Sequence, residues 1–579
     1  MSRHYLIRNA ISLQNQLLEG EEIVADDLPS DEEEDHAELM SDSDSEEDFE
    51  DDLNDLSIET DFIEKNDCID TMPNIVCGEN GHQWFTKEWK RLPNDNQIED
   101  EAYPGPRGEA KNIKSPLEAW SLLFTDKLLE KIVKYTNEYI RQWRNETKTC
   151  DVFSPTYYDL ILPEFKALLA LFYFSGLQKA VNTNLEDLWS LDFGSTLYRS
   201  TMPLNRFKFL VQMIHFDDKS TRQTRRETDK FAPMREIWED FISKCTQYYS
   251  PTLYCTIDDH VLSFQGPCPF KVYNCAKPDK YGMKIIMLND SNTFYMYSAE
   301  PYVGTTEKES TESLPSYYIR KLSETIQGSW RNITCDNWFT STEIFDKMLQ
   351  NSITMVGSIR KTKGQIPQSL KSDAPLYSSK FLFDETKTLV KYVPREDKFL
   401  LTMSTLHSLV EIEMDTEKPT IISFYDSTKG ATEYFNKLCD EYTVARKTFR
   451  WPLRFWYGMM DQAVINALIL HNFNYENPNL TRREFLKKLV KELVEPQLRL
   501  RLSFPNLRQE LRMSIQSILQ VNATPPPPPK SPTKVRKATR CSLCPRAADR
   551  KVKTVCKNCQ RAVCEDHRII LCSVCSITE

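Results

Sequence analysis

The chain has 579 residues, of which 85 are Asp or Glu and 73 Lys or Arg, for a formal net charge of −12. That length allows about three or four domains. A membrane-spanning helix is excluded because no run of about 18 apolar residues exists, and "MSRHYLIRNAISLQNQLLEG" lacks the apolar core of a secretory signal. A soluble intracellular protein is therefore expected, in which 16 cysteines serve as thiols or metal ligands rather than disulfides.

The charge is unevenly spread. Between Asn9 and Glu64 lie 23 Asp or Glu and no Lys or Arg, which leaves the remainder at +11. Self-repulsion and few aromatics predict a disordered acidic N-terminal arm over 1–108, either a solvating tail or one that competes with nucleic acid for a basic body. Ser30, Ser41, Ser43 and Ser45 precede acidic residues, so phosphorylation would deepen the charge. Helical spacing follows in "SPLEAWSLLFTDKLLEKIVKYTNEYIRQW", with Leu122, Leu128, Leu129, Ile132 and Val133 on one face. It continues in "EFKALLALFYFSGL" and "MREIWEDFISKCTQYY", so 109–253 reads as all-helical. Arg222, Arg225 and Arg226 cluster there, as a solvated loop or as phosphate contacts beside a nucleic-acid site.

The period changes at Leu253. "LYCTIDDHVLSF", "YGMKIIMLND" and "FYMYSAEPYVG" read as three strands, the last two joined by the hairpin loop "DSNT". A helix, the strand "NITCD", the helix "STEIFDKMLQ" and the strand "SITMVGSIR" complete the order of a ribonuclease-H-like α/β core, 254–361. Residues 362–419 read as a strand-rich insertion. Core resumes at 420–442, helix at 443–520, and "ATPPPPPKSPTKVRK" marks a Pro-rich basic linker, 521–538.

In that strand order the first and fourth strands are parallel neighbours. Asp258 sits on the first and Asp336 ends the fourth, so the two carboxylates should share divalent ions. Two such ions can activate a water or 3′-hydroxyl and stabilise the leaving oxygen, and hard oxygen ligands favour Mg²⁺. Glu433, on the helix in "KGATEYFNKLCDEY", is the candidate third ligand. Each acid alone also reads as a turn cap or an exposed helix residue; the three on compatible elements point to phosphoryl transfer.

The end of the chain, 539–579, has the ligand order C-x2-C-x11-C-x2-C-x4-C-x2-H-x4-C-x2-C, a strong zinc spacing. Its alternation suggests a cross-brace of two structural Zn²⁺ ions. One would take Cys541, Cys544, Cys564 and His567, and the other Cys556, Cys559, Cys572 and Cys575. From Val521 onward 12 Lys or Arg stand against 4 Asp or Glu, so the module should meet an anion. "KVRK", Lys534 to Lys537, reads as a nuclear import signal. RING and PHD modules place their single His differently, which counts against a ubiquitin-ligase or chromatin-reader role.

From about Trp120 onward the chain resembles the piggyBac family of DNA transposases. The residues that carry this are "TIDDHVLSFQGPCPFKVYNCAKPDKYGMKIIMLNDS", "RNITCDNWFTS", "VGSIRKTKGQIP", "YDSTKG", "ARKTFRWP" and the Cys-rich end. The resemblance implies a catalytic core split by an insertion, and a helical dimerisation and DNA-binding domain built from 109–253 and 443–520. It also implies a nuclear homodimer that binds terminal inverted repeats and cleaves and joins DNA at TTAA with Mg²⁺. Asp258 and Asp336 match the first two catalytic aspartates, and Asp259 a position behind them. Arg360 and Lys363 match DNA-contacting basic positions. Trp451 matches an aromatic that stacks on nucleic acid, with an ordinary core tryptophan as the plain alternative. Where the family has a "KGGVDTLDQ"-like run this chain has "KGATEYFNK", so Glu433 and Asn436 replace two aspartates. That departure keeps open a second reading, a domesticated transposase-derived DNA-binding protein that no longer cuts.

Overall fold

A computed structural model describes residues 75–88, 104–146, 155–273, 280–304, 312–396, 398–474, 480–521, 538–548, 550–554 and 562–567. These fall into two compact units divided after Leu511.

The larger unit begins its helices with α1 (Pro116–Leu123), where the Ser115 side chain accepts the Glu118 backbone N–H at 3.2 Å. The stretch read as one helical face divides at Phe124, and α2 (Asp126–Glu146) then buries Leu128, Leu129, Ile132 and Ile140. The apolar α3 (Leu162–Leu177) is buried on nearly every side, and its Tyr173 hydroxyl accepts the Trp120 indole N–H at 2.9 Å. It is a core helix, and among the described residues no helix is long and apolar enough to cross a membrane. α4 (Ala232–Tyr248) leads into the sheet.

Among the described residues the main sheet has eleven strands. In chain order they are β1 (Ile75–Cys77), β2 (Gln83–Phe85), β3 (Tyr254–Ser263), β4 (Val272–Tyr273), β5 (Tyr281–Asp290) and β6 (Met296–Pro301). β7 (Asn332–Cys335), β8 (Thr354–Ser358), β9 (Ser379–Phe383), β10 (Thr388–Arg395) and β11 (Lys398–Ser404) follow. The spatial order is β1-β2-β9-β10-β11-β8-β7-β3-β5-β4, with β6 also on β5. β3, β7 and β8 are parallel neighbours, while β5 runs antiparallel to β3 and β6 to β5. This mixed sheet is consistent with the ribonuclease-H-like order expected from the sequence. α5 (Leu314–Ser323) lies between β6 and β7, and α6 (Thr342–Gln350) between β7 and β8.

The strands of 362–419 extend the same sheet, because β11 pairs antiparallel with β8, Val356 opposite Ser404. α7 (Thr420–Thr428) covers them, packing Ile421 and Ile422 against Val356, Val390 and Tyr392. α8 (Ala431–Glu441) packs on β3 and β5. α9 (Trp451–Phe473) is buried almost throughout, and α10 (Arg482–Leu502) opens with a Thr481/Glu484 capping box. α9 packs on α1, and α10 on α3, so helices from before and after the sheet share one core.

One expectation needs correction. Within the arm read as disordered to residue 108, residues 75–85 form an ordered hairpin at the sheet edge, with Phe85 opposite Phe383 of β9. Trp84 is fully buried and its indole N–H donates to Gln365 O at 2.8 Å. His82 Nε2 lies 3.1 Å from Asp384 Oδ2. Further on, Gly105–Pro106 pairs with Tyr249–Ser250. The run of acids ends before this stretch, and buried aromatic area outweighs the cost of ordering it. The charge-rich segment 9–64 lies outside the described residues.

Candidate functional site

β3 and β7 run parallel in the register Ile257 opposite Cys335, so the next step sets Asp258 beside Asp336. Laterally adjacent residues of neighbouring strands present side chains to one face. β7 stops there because the chain turns: Phe339 N–H and the Thr340 hydroxyl both donate to Asp336 O at 3.1 Å. Gly357 of β8 makes the turn possible, since a Cβ on it would come within 2.3 Å of Thr340 Oγ1. β3 continues past Asp258 to Ser263, paired there only with β5.

Beside these carboxylates, α7 is pinned to both strands. Thr256 Oγ1 donates to Thr428 O at 2.6 Å, and Thr334 Oγ1 lies 2.7 Å from Thr428 Oγ1. Asp336 Oδ1 accepts the Ser358 hydroxyl at 3.1 Å, and Ser358 Oγ accepts the Tyr425 hydroxyl at 3.3 Å. Burial, then the nearby Asp336, Cys335 and Asp258, push the Tyr425 phenol well above its ordinary pKa. Ser358 and Tyr425 were missed in the sequence; Tyr425 stands in the quoted "YDSTKG", but nothing local showed where its hydroxyl ends. Asp258 Oδ1 accepts the Asp259 backbone N–H at 2.8 Å. Asp259 itself points to the other face by strand alternation, with Lys284 Nζ at 3.9 Å.

Glu433 is placed differently from expectation. α8 turns Thr432, Phe435 and Asn436 inward: Thr432 Oγ1 donates to Asn289 Oδ1 at 3.0 Å, and Asn436 Nδ2 to Asp259 O at 3.4 Å. Glu433 is 71 % exposed and pairs with Lys437 one turn on, at 3.1 Å. Among the described residues, the one set of three or more His, Cys, Asp or Glu ligand atoms close enough for a shared ion lies elsewhere, near the C-terminus. The three acids expected together are thus two where the parallel pairing of β3 with β7 ends and a third turned to solvent. The physical reason is the helix phase, which gives the sheet to Thr432 and Phe435.

Arg360 reaches the same edge, its Nε–H donating to Asn337 Oδ1 at 3.2 Å, and Lys363 lies in the following turn with its N–H on Arg360 O. Trp451 is 8 % exposed, its ring 5.0 Å from Phe270 and 5.8 Å from Phe231, so it is a core residue. Two positions earlier Phe449 is 69 % exposed.

In the smaller unit Cys541, Cys544, Cys564 and His567 converge. Cys544 Sγ lies 3.6 Å from Cys564 Sγ, and His567 Nδ1 lies 3.9, 3.4 and 3.2 Å from the sulfurs of Cys541, Cys544 and Cys564. A tetrahedral zinc with bonds of about 2.0–2.3 Å needs ligand separations of about 3.3–3.8 Å, so the set fits that ion. It is the first of the two ligand sets expected from the spacing. Cys556, Cys559, Cys572 and Cys575 lie outside the described residues.

A family model described as Transposase IS4 matches residues 115–468. "PiggyBac transposable element-derived protein 3" of Homo sapiens is 22% identical over 411 residues, covering 66% of this chain and 65% of that protein. "PiggyBac transposable element-derived protein 2" of Homo sapiens is 19% identical over 379 residues, covering 62% of this chain and 61% of that protein. The chain thus spans a little under two thirds of these relatives' own length. The cryo-EM structure of a piggyBac transposase synaptic complex with hairpin DNA superposes with a TM-score of 0.69 at 36% identity, over 82% of this chain and 99% of that one.

Proposed function

Starting from a chain that belongs to the Transposase IS4 family, on its piggyBac side, we propose that it binds terminal inverted repeats and cleaves and joins DNA at TTAA with divalent metal. The observation that carries this is the pair Asp258 and Asp336, side by side where the parallel pairing of β3 with β7 ends. Hard carboxylate oxygens on adjacent strands, one of them oriented by Ser358, suit a hard divalent cation. Bound there, Mg²⁺ would activate a water or 3′-hydroxyl and stabilise the leaving oxygen. Asp258 and Asp336 would hold it, and Glu433 would join on turning from Lys437. Arg360 and Lys363, beside that edge, would take backbone phosphates, the latter as a point charge. Zinc held by Cys541, Cys544, Cys564 and His567 would fold the basic C-terminal unit as a further DNA contact. Dimerisation through the helical segments and nuclear residence belong to the same reading.

A second reading, DNA binding without cleavage, is favoured by one observation: Glu433 faces solvent while Asn436, which cannot bind metal as an anion, faces β3. A nicking assay on the chain's own flanking repeat DNA separates the two. Cleavage by the natural protein, lost in Asp336→Asn with DNA affinity kept, supports the transposase. Binding without cleavage, with cleavage gained in Glu433→Asp/Asn436→Asp, supports the second. Absence of any preference for the repeat DNA would defeat both.

A further inference from the structure

A pocket of about 270 Å³ opens between the helical segments and the loop after β3, lined by His215, Arg222, Arg226, Pro267, Phe449 and Arg450, among others. Three arginines face it against one carboxylate, Asp217, which is buried and already shared by Arg222 and Arg225. The wall is built rather than loose. Arg450 donates to the carbonyls of Val211 at 3.1 Å and Gln212 at 2.9 Å and also to that of Ile214. His215 is held by Met213 O at 2.9 Å and packs tilted against Tyr139, ring centroids 3.9 Å apart. Burial pushes its imidazole down to about 4, so it is neutral at physiological pH and the lining carries an excess of two positive charges. At the rim stands Phe449, 69 % exposed, while Trp451, two positions on, also lines the pocket but is only 8 % exposed and packed against Phe231 and Phe270.

We propose that this pocket takes one unpaired nucleotide of a DNA strand, its base stacked on Phe449 and its phosphate drawn to Arg226 and Arg222. An exposed single aromatic is common on protein surfaces. An exposed ring on a fixed cationic cavity is the combination that single-stranded nucleic acid uses, stacking plus phosphate attraction. The volume sits just under the range of about 300–1,000 Å³ typical of drug-sized ligands, which leaves room for one ring and its anion but not for a duplex. Position agrees as well. Gly266 lies against Phe449, since a Cβ on it would come within 3.0 Å of Phe449 O, and it follows the strand that carries Asp258. The nine residue steps from Asp258 to Pro267 span at most about 30 Å, roughly nine base steps, so a strand bound at the carboxylates can reach the pocket.

This rests on the DNA-binding reading, and the test separates the two. Full-length protein is titrated, without Mg²⁺, into a blunt repeat duplex and into the same duplex with a short single-stranded tail holding one 2-aminopurine. Quenching of the 2-aminopurine by the natural protein is expected. In Phe449→Leu the quenching should vanish and tailed-DNA affinity fall about 5- to 100-fold, the worth of one base–aromatic stack. Phe449→Trp should retain both, Arg226→Ala should weaken the tail's contribution and its salt dependence, and blunt-duplex affinity should hold in both Phe449 variants. Undiminished quenching in Phe449→Leu overturns the pocket while leaving duplex binding intact. A change of oligomeric state in Phe449→Leu by sedimentation, with quenching unchanged, would instead make the ring a contact between copies. Failure of the natural protein to bind either DNA overturns the parent reading as well.

Discussion

Asp336 is oriented by two hydroxyls in series, Ser358 and then Tyr425. A carboxylate with one oxygen committed to a donor presents the other in a fixed direction, which matters for an ion that demands near-octahedral ligands. Ser358→Ala is therefore expected to lower metal affinity or metal-dependent cleavage about 10- to 100-fold while leaving DNA affinity unchanged, checked by Mg²⁺ titration of nicking. A second carboxylate works through stability. Asp461 on α9 is fully buried, which pushes its pKa up to about 7 against the pull of Thr443 Oγ1–H at 2.7 Å and Val444 N–H at 3.0 Å. An unfolded Asp ionises near about 3.9, so the folded state holds this proton over a range where the unfolded state has lost it. The contribution is full below about pH 4 and is lost as pH rises through about 7. The melting temperature of the natural protein relative to Asp461→Asn should fall between about pH 4 and pH 7; a constant difference would show that Asp461 is not protonated in the fold.

At the scale of elements, the edge hairpin β1–β2 covers β9, whose open edge would otherwise offer unpaired backbone groups to other chains. Its hold is local and apolar, Trp84 in the core, with Gly78 so close to Gln365 that an added Cβ would lie 2.6 Å from that carbonyl. Trp84→Ala should cost about 3–5 kcal/mol in urea unfolding and release 75–85 to rapid hydrogen exchange. A loss below about 1 kcal/mol would mean that the hairpin contributes little to the sheet.

For the whole molecule, the division after Leu511 separates a large, heavily buried unit from a small one with few buried apolar residues among those described. A unit of that size cannot supply its own folding energy from burial, so the four converging ligands are expected to provide it through zinc. Chelation, or Cys564→Ser, should abolish protected amides in 538–567 while leaving the melting of the larger unit in place. Hydrogen exchange read by mass spectrometry would show both at once, and unchanged protection after zinc is removed would count against the metal.

The sequence by itself determined what depends on local spacing. The change of period at Leu253 and the apolar run in Leu162–Leu177 each fixed an element, and the strand order put Asp258 next to Asp336. The Cys and His intervals selected the four ligands that converge. Only the tertiary structure decided which of two aromatics near the start of α9 enters the core, because Trp451 is chosen by Phe231 and Phe270, about 200 residues away in sequence. It likewise turned Glu433 outward, placed Tyr425 behind Ser358 and drew Trp84, from the stretch after the acidic run, into the sheet. Spacing shows which residues share a face; which face is covered depends on partners distant in the chain, and no local pattern encodes them.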